Sequence, residues 1–176
     1  ISPADSLETV KALEAAVKSE DSTYIRLTGS SNNPIVYKED YKFEIGKSIQ
    51  LKDGNDITIF SAGAMVFNSL EAAEKLEKNN ISCRVVNMHT IKPVDFEAIE
   101  KACSSSKLIV SVEEHNVIGG LGSAIAEHKS KLVKSPKQLM IGVNDTYSKG
   151  GSYKFLQEKH GLTADKIVDN ILNNFN

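Results

Sequence analysis

The sequence lacks the features that mark several large classes of protein. Its two cysteines, Cys83 and Cys103, form no CxxC pair, so neither a disulfide framework nor a cysteine zinc site is indicated. None of the four histidines belongs to an HExxH motif, and we expect no metal site. The net charge of −2 provides no basic surface for nucleic acid or an anionic membrane. No apolar run reaches membrane-spanning length, and together these observations favour a cytoplasmic protein with reduced thiols.

The composition is otherwise that of an ordinary globular protein. A chain of 176 residues suffices for one well-buried domain with some residues to spare. The hydrophobic fraction of 40% and the charged fraction of 25% are both typical. The chain begins Ile1-Ser2-Pro3, without methionine, and passes almost directly into a predicted helix. We therefore expect it to be part of something longer.

Apolar periodicity predicts strands that alternate with helices from residue 57 onward. The predicted strands are 57–61, 82–88, 107–112 and 138–143, and the predicted helices are 65–77, 94–104, 120–133, 152–159 and 163–174. Before them stand a helix capped by Asp5 or Ser6, a strand at 23–28, and an irregular connection at 34–54 with one or two short strands. The alternation predicts an α/β fold in three layers, with helices on both faces of a mostly parallel sheet. The first 30 residues are too few to bury a core and are typical of the tail of a preceding domain.

A glycine-rich turn follows the predicted strand at 107–112 and opens the next helix. It contains Gly119, Gly120 and Gly122, and the N–H groups at such a helix start can face an anion or another part of the backbone. The pattern fails as a dinucleotide fingerprint, because Ile125 replaces the third glycine and no acidic residue follows at a strand end. We therefore predict a packing turn, with nucleotide binding as the less favoured alternative.

Titratable side chains stand beside this turn and after the preceding strand. Glu113, Glu114 and His115 follow a strand end, where open α/β sheets bind ligands, and a carboxylate beside an imidazole can support proton transfer. The favoured interpretation is that one glutamate is solvated and the other caps the turn. His89 either lines the same cleft or hydrogen-bonds to backbone in a turn, and Lys92 meets either a phosphate or water. These residues, with the three glycines of the turn, are candidates for a cleft or an interface.

Arg26 lies inside a predicted strand, where an apolar residue is the usual choice. A buried arginine normally has a partner. That partner is either an internal carboxylate or a substrate phosphate bound by the guanidinium group, and the residues alone favour neither.

Several stretches resemble the C-terminal part of transketolases, most closely of the kind divided between two subunits. They are Ile1–Thr9, Asn87–Asp95, Val112–Glu127, Asp145–Gly151 and Lys159–Ile167. Related patterns occur in deoxyxylulose-phosphate synthases and in β subunits of 2-oxo acid dehydrogenases. The resemblance implies that residues 1–30 are the tail of a pyrimidine-binding domain and 31–54 a linker. It also implies that 55–176 are the transketolase C-terminal domain, in this family a mixed, mostly parallel sheet of about five strands.

The resemblance also implies an activity for the complete enzyme. The family transfers a two-carbon ketol unit between sugar phosphates with thiamine diphosphate and Mg²⁺, and the carbanion chemistry belongs to the cofactor. The glutamate that activates the cofactor, and the domain that holds its diphosphate and metal, are expected upstream of Ile1 in a missing N-terminal part. We therefore expect this chain to serve assembly, to be inactive alone, to carry no catalytic residue or bound cofactor, and to form a homo-oligomer, in the family a dimer.

One residue receives a role from the resemblance. Arg26 falls in the strand where related enzymes place an arginine that binds substrate phosphate. Two alternatives to a transketolase stay open: a different enzyme of the same cofactor class, and a stand-alone interaction or ligand-binding module with the same fold.

Overall fold

The computed structural model describes residues 1–29 and 33–175. The strands are β1 (Ile49–Lys52), β2 (Ile57–Ser61), β3 (Cys83–Asn87), β4 (Leu108–Asn116) and β5 (Lys137–Val143). The helices are α1 (Ser6–Lys18), α2 (Met65–Glu77), α3 (Phe96–Ser105), α4 (Leu121–Lys129), α5 (Tyr153–Lys159) and α6 (Ala164–Leu172). The strand order is β1-β3-β2-β4-β5, with β1 antiparallel to β3 and the other neighbours parallel. The predicted mixed, mostly parallel α/β sheet is confirmed.

Two apolar cores lie on opposite faces of the sheet. Ile57 and Ile59 of β2 belong to the core that α2 and α6 cover. Phe60, whose side chain alternates to the other face, belongs to the core that α3 and α4 cover. Because both faces are covered, β2 and β3 are buried along their whole length. The helices therefore lie on both faces, as the alternation predicted.

The carboxyl ends of three parallel strands meet at one edge of the sheet, and the start of the chain lies across that edge. Ser61 at the end of β2 is in register with Asn87 of β3 and with Val112 of β4. The Ser2 N–H donates to the His89 carbonyl at 2.7 Å, and the Gly63 N–H donates to the Ser2 carbonyl at 3.0 Å. The N-terminal segment is therefore fixed to the loops that follow β2 and β3.

Helix α1 begins where the capping signal predicted, but the larger side chains of its apolar stripe are not buried. Asp5 is the N-cap and accepts a hydrogen bond from the Glu8 N–H at 2.8 Å. Four apolar side chains on the helix are exposed to solvent, namely Leu7, Val10, Leu13 and Val17. Ala12 of the predicted stripe is buried, whereas these four larger side chains leave about half or more of their surface open to solvent.

Residues 23–28, predicted as a strand, form no strand and lie outside the sheet. Their backbone is bonded to Ile1, whose ammonium group donates to the Tyr24 carbonyl at 2.8 Å and whose carbonyl accepts from the Arg26 N–H at 2.8 Å. Ile1 alone is too short to form a β-ladder with this segment, because a strand needs a neighbouring strand along its length. The strand prediction is therefore wrong for this segment.

Several element boundaries differ from the predictions, most clearly the ends of β4 and α4. β4 continues to Asn116, beyond the predicted end at Val112, after a register shift against β5. α4 ends at Lys129, and the chain then turns through bonds between residues three apart, including Leu132 N–H to the Lys129 carbonyl at 3.0 Å. β1 lies inside the connection at 34–54, where one or two short strands were predicted. In residues 1–29 and 33–175, no helix has the length and apolar character needed to cross a membrane.

Candidate functional site

A cleft of about 460 Å³ lies over the carboxyl ends of β2 and β4. Its walls come from the N-terminal residues 1–3, the segment from 19 to 28, the loops after β2 and β3, and the turn after β4. Ligands of open α/β sheets bind at this edge. The predicted site residues that line the cleft are Arg26, Glu113, Glu114, His115, Gly119 and Gly120, with His89 and Gly122 outside it.

Glu113 occupies the start of α4 as an internal anion. Its Oε2 accepts from the Leu121 N–H at 2.7 Å, and its Oε1 accepts from the Gly122 N–H at 2.8 Å. A Cβ at position 120 would come within 2.7 Å of the Asn116 carbonyl, and closer still to the Glu113 carboxylate, so glycine is required there. The positive end of the helix thus already holds a carboxylate. Glu113 is thus the glutamate that caps the turn, as the favoured interpretation has it, whereas Glu114 is half-buried and accepts a hydrogen bond from the Tyr153 hydroxyl instead of being solvated.

The environment of Glu113 limits the chemistry that its carboxylate can perform. Burial raises the pKa of this carboxyl group, and the N–H groups of Gly122 and Leu121 oppose the rise, followed by the charges of His115 and Arg26. Both of its oxygens already accept hydrogen bonds. A general base needs an oxygen within reach of a ligand proton, so Glu113 is suited to a structural role.

Arg26 brings a positive charge to the cleft. Its Nη2 donates to the backbone carbonyl of Glu114 at 3.0 Å, and its side chain is half-buried. No ion pair found among residues 1–29 and 33–175 includes Arg26. Of the two partners that the sequence left open, the internal carboxylate is thus not the one that the structure shows. A carbonyl orients the guanidinium group, and its positive charge acts at longer range on the Glu113 carboxyl group, where it opposes the rise in pKa.

Glu114 and His115 do not form the carboxylate–imidazole pair that proton transfer requires. The Tyr153 hydroxyl donates to Glu114 Oε2, which ties α5 to the end of β4. His115 is exposed, and its Nδ1 lies 2.9 Å from the carbonyl of the next residue, Asn116. Burial raises the pKa of the Tyr153 hydroxyl, followed by its contact with Glu114, so it remains a donor at neutral pH. These contacts support a structural function for the segment from 113 to 115.

His89 is a core residue and not part of the cleft. It is fully buried, its ring stacks on Phe43 with centroids 4.2 Å apart, and its Nδ1 lies 2.9 Å from Thr90 Oγ1. Burial lowers the pKa of His89 to about 4, which keeps the imidazole neutral near pH 7. Lys92, in the same loop, is exposed and lines the cleft.

Comparison with known proteins shows the family to which the chain belongs. The family model described as "Transketolase, C-terminal domain" matches residues 46–167. The chain belongs to this family. Its resemblance to transketolases and its α/β fold are thereby confirmed, as is its identity as the C-terminal part of a transketolase-family protein.

Comparison with individual family members shows what share of each relative's length the chain covers. A protein of Methanocaldococcus jannaschii, provisionally named a transketolase C-terminal section, is 37% identical over 98% of this chain and 54% of its own length. A 6-deoxy-6-sulfo-D-fructose transketolase subunit of Clostridium sp. (strain MSTE9) is 38% identical over 94% of this chain and 51% of its own. A solved split-gene transketolase, an inactive β4 tetramer, matches with a TM-score of 0.89 and 39% identity over 98% of this chain and 55% of its own. The chain thus spans about half the length of the transketolase relatives it matches.

A buried carboxylate that sequence reasoning missed joins the N-terminal segment to the family domain. Glu8 is fully buried and accepts from the Ala4 N–H at 2.6 Å, from Asn87 Nδ2 at 2.9 and 3.0 Å, and from the hydroxyls of Tyr37 at 3.0 Å and Tyr41 at 3.1 Å. The available signal was the spacing of a capping box, an N-cap aspartate followed three residues later by glutamate. We call these five residues the Glu8 cluster; it connects α1, the connection at 34–54 and β3 beside the cleft.

The cleft residues do not fit the diphosphate and metal of the cofactor that the family implies. A diphosphate at a helix start needs backbone N–H groups, and those of Leu121 and Gly122 already donate to Glu113. In the part of the chain that the structure describes, no three His, Cys, Asp or Glu side chains are grouped to hold a metal ion. The charged group that this chain offers to a ligand in the cleft is instead the Arg26 guanidinium group.

Proposed function

We propose that this chain is the C-terminal section of a transketolase that transfers a two-carbon ketol unit between sugar phosphates. Thiamine diphosphate and Mg²⁺ would supply the ketol chemistry from an N-terminal part, in the same or a separate chain. This section would serve assembly, carry no catalytic residue, and contribute Arg26 as a contact for a substrate phosphate. The observation that supports the proposal is the Arg26 guanidinium group, which lines the cleft of a transketolase-family domain and donates to a backbone carbonyl.

The chemistry of Arg26 fits a phosphate ester better than it fits a carbonyl partner alone. A guanidinium group offers parallel N–H donors that match two phosphate oxygens and keeps its charge at any physiological pH. The cleft volume of about 460 Å³ lies within the range of roughly 300–1,000 Å³ that small-molecule sites occupy. Arg26 is therefore the residue of this chain that we assign to substrate binding.

The exposed stripe of α1 supports a partner for the N-terminal segment. Leu7, Val10, Leu13 and Val17 form an apolar surface that water disfavours, which suits the missing N-terminal part or a second copy in a homo-oligomer. The division into a pyrimidine-domain tail (1–30), a linker (31–54) and a C-terminal domain (55–176) remains a prediction, although β1 joins the sheet from within the linker. Both cysteines are free thiols, which supports a reducing, cytoplasmic location.

Reconstitution tests the proposal. The chain is combined with its N-terminal part, and ketol transfer from a pentose phosphate is measured with phosphorylated acceptors. Arg26→Gln should raise KM for the phosphorylated substrate by about 10- to 150-fold, the equivalent of losing a charged hydrogen bond of about 1.5–3 kcal/mol. Lys134→Gln, an exposed lysine outside the cleft, is the matched control. Full activity without this chain, or an Arg26→Gln enzyme that behaves like the control, would contradict the proposal.

Two further measurements separate the alternatives. Calorimetric titration of the chain alone with thiamine diphosphate and Mg²⁺ should show no binding, whereas the reconstituted protein should bind; saturable binding by the chain alone would overturn the assignment of the cofactor to the N-terminal part. Turnover of pyruvate with glyceraldehyde phosphate, or of branched oxo acids, in place of pentose phosphates would identify another enzyme of the same cofactor class.

A further inference from the structure

The orientation of Arg26 depends on a backbone atom that is 88 positions away in the sequence. Its Nη2 donates to the Glu114 carbonyl at 3.0 Å, so the place of the guanidinium group in the cleft follows the place of that carbonyl. An arginine side chain has several rotatable bonds, and ordering it costs conformational entropy. A fixed acceptor for one of its N–H groups therefore determines the fraction of time that the Arg26 guanidinium group points into the cleft.

The Glu114 carbonyl lies where the regular ladder of β4 fails. The register against β5 shifts between Val112 and Asn116, so the intervening residues depart from the regular pairing. Side chains hold this stretch in its place. The Glu113 carboxylate binds the N–H groups of Leu121 and Gly122, and the Tyr153 hydroxyl binds the Glu114 carboxylate.

Two glycines make this arrangement possible. Gly120 leaves room for the Glu113 carboxylate at the start of α4, as described above. A Cβ at Gly142 of β5 would lie 2.9 Å from the His115 carbonyl, so the neighbouring strand approaches the same stretch closely. The residues from 113 to 115 are therefore held from the helix side by Glu113 and from the strand side by β5.

We propose that Glu113 is a positioning residue, which holds the Glu114 carbonyl through its contacts with the start of α4 and thereby aims Arg26 at the substrate phosphate. This inference rests on the proposed function. It gives the C-terminal domain a definite part in substrate binding: the domain sets the direction of a cation that the preceding segment carries. Tyr153 holds the same residue from α5, because its hydroxyl donates to the Glu114 carboxylate.

The first test observes Arg26 directly and requires no activity. Arg26 and Arg84 are the two arginines of the sequence, so nitrogen-15 labelling of arginine in the full chain gives two sets of guanidinium signals. Arg84, which donates from Nη1 to Ser105 Oγ at 2.9 Å, is the internal reference. Glu113→Gln should accelerate rotation of the Arg26 guanidinium group and leave that of Arg84 unchanged. Equal rotation of Arg26 in the variant and the parent would overturn the inference.

The second test uses the reconstituted protein with a phosphorylated acceptor and with its unphosphorylated analogue. Glu113→Gln should raise KM about tenfold for the phosphorylated acceptor alone, since small displacements of a positioning group cost one to two orders of magnitude. In an Arg26→Gln background the same change should add nothing. Glu127→Gln, an exposed glutamate of α4, is the control. Equal effects on both acceptors would assign Glu113 to stability alone.

A further variant, Tyr153→Phe, helps to distinguish failure of the positioning inference from failure of the proposed function. Tyr153→Phe removes one hydroxyl, leaves the helix cap intact and should shift the acceptor preference in the same direction by a smaller factor, so it serves if Glu113→Gln fails to fold. If neither the parent protein nor its Arg26→Gln variant distinguishes the acceptors, the proposed function is wrong. If Arg26→Gln changes the preference between the two acceptors but neither Glu113→Gln nor Tyr153→Phe changes it, the positioning inference is wrong and the proposed function stands.

Discussion

Replacement of Glu8 by alanine should destabilise the fold far more than its place near the chain start suggests. The carboxylate is fully buried and accepts hydrogen bonds from one backbone N–H, one amide and two hydroxyl groups. Alanine would leave these donors without their acceptor in the interior. The Tyr37 hydroxyl and Asn87 Nδ2, which lie 2.6 Å apart, would still be in contact with one another, so the loss is less than complete.

The expected magnitude follows from the groups that lose their partner. Each buried donor without an acceptor costs about 1–3 kcal/mol, and the Ala4 N–H and the Tyr37 hydroxyl are the two that are most affected, because Asn87 Nδ2 still donates to the Tyr37 oxygen. Removal of a buried charge offsets part of this cost, because burial disfavours the carboxylate and raises the pKa of Glu8. We expect a net loss of about 2–4 kcal/mol for Glu8→Ala. Glu8→Gln keeps one acceptor oxygen and removes the charge, so about 1 kcal/mol is expected.

Urea unfolding of the full chain, followed by circular dichroism, measures the effect. With a slope of about 2 kcal/mol per M, the Glu8→Ala midpoint should fall by about 1–2 M. Glu14→Ala, at an exposed position of the same helix, should change the free energy of unfolding by less than about 0.5 kcal/mol. If the midpoints of the two alanine variants coincide, or if Glu8→Gln is as costly as Glu8→Ala, the reasoning about unpartnered donors is refuted.

Two further predictions concern the turn and the buried histidine. Gly120→Ala should cost about 1–3 kcal/mol because its Cβ would collide with the Asn116 carbonyl, and Gly119→Ala, in open space but at φ 78°, should cost about 1 kcal/mol of backbone strain. Gly29→Ala, with open space and no positive φ, is the control, and equal urea midpoints for all three variants would contradict the packing account. Burial, and then the ammonium group of Ile1, lowers the pKa of His89 to about 4, so its contribution is complete above pH 6.5 and lost as pH falls toward 4. Over that range His89→Phe should remove about 3 kcal/mol of the pH dependence of unfolding, and an unchanged slope would show that His89 does not titrate as described.

Elements with strong local signals were predictable to the residue. The predicted strand at 57–61 and helix at 65–77 coincide with β2 and α2. Their apolar periodicity is regular and they border on short turns, so local information suffices. The predicted strand at 23–28 failed for the opposite reason, since its ladder depends on neighbours that the segment itself does not encode.

The sequence by itself determined the alternation of strands and helices, an N-cap at Asp5 or Ser6, a glycine turn before α4, and the family. The elements, the cap and the turn depend on periodicity and on backbone sterics, which act over a few residues, and the family depends on short stretches of residues. The tertiary structure alone decided which polar groups meet. The Glu113 carboxylate reaches the start of α4, Arg26 reaches the Glu114 carbonyl, and Glu8 reaches Asn87 across 79 positions. Such contacts depend on the packing of distant elements, and a hydrogen bond forms only when that packing brings donor and acceptor within about 3 Å.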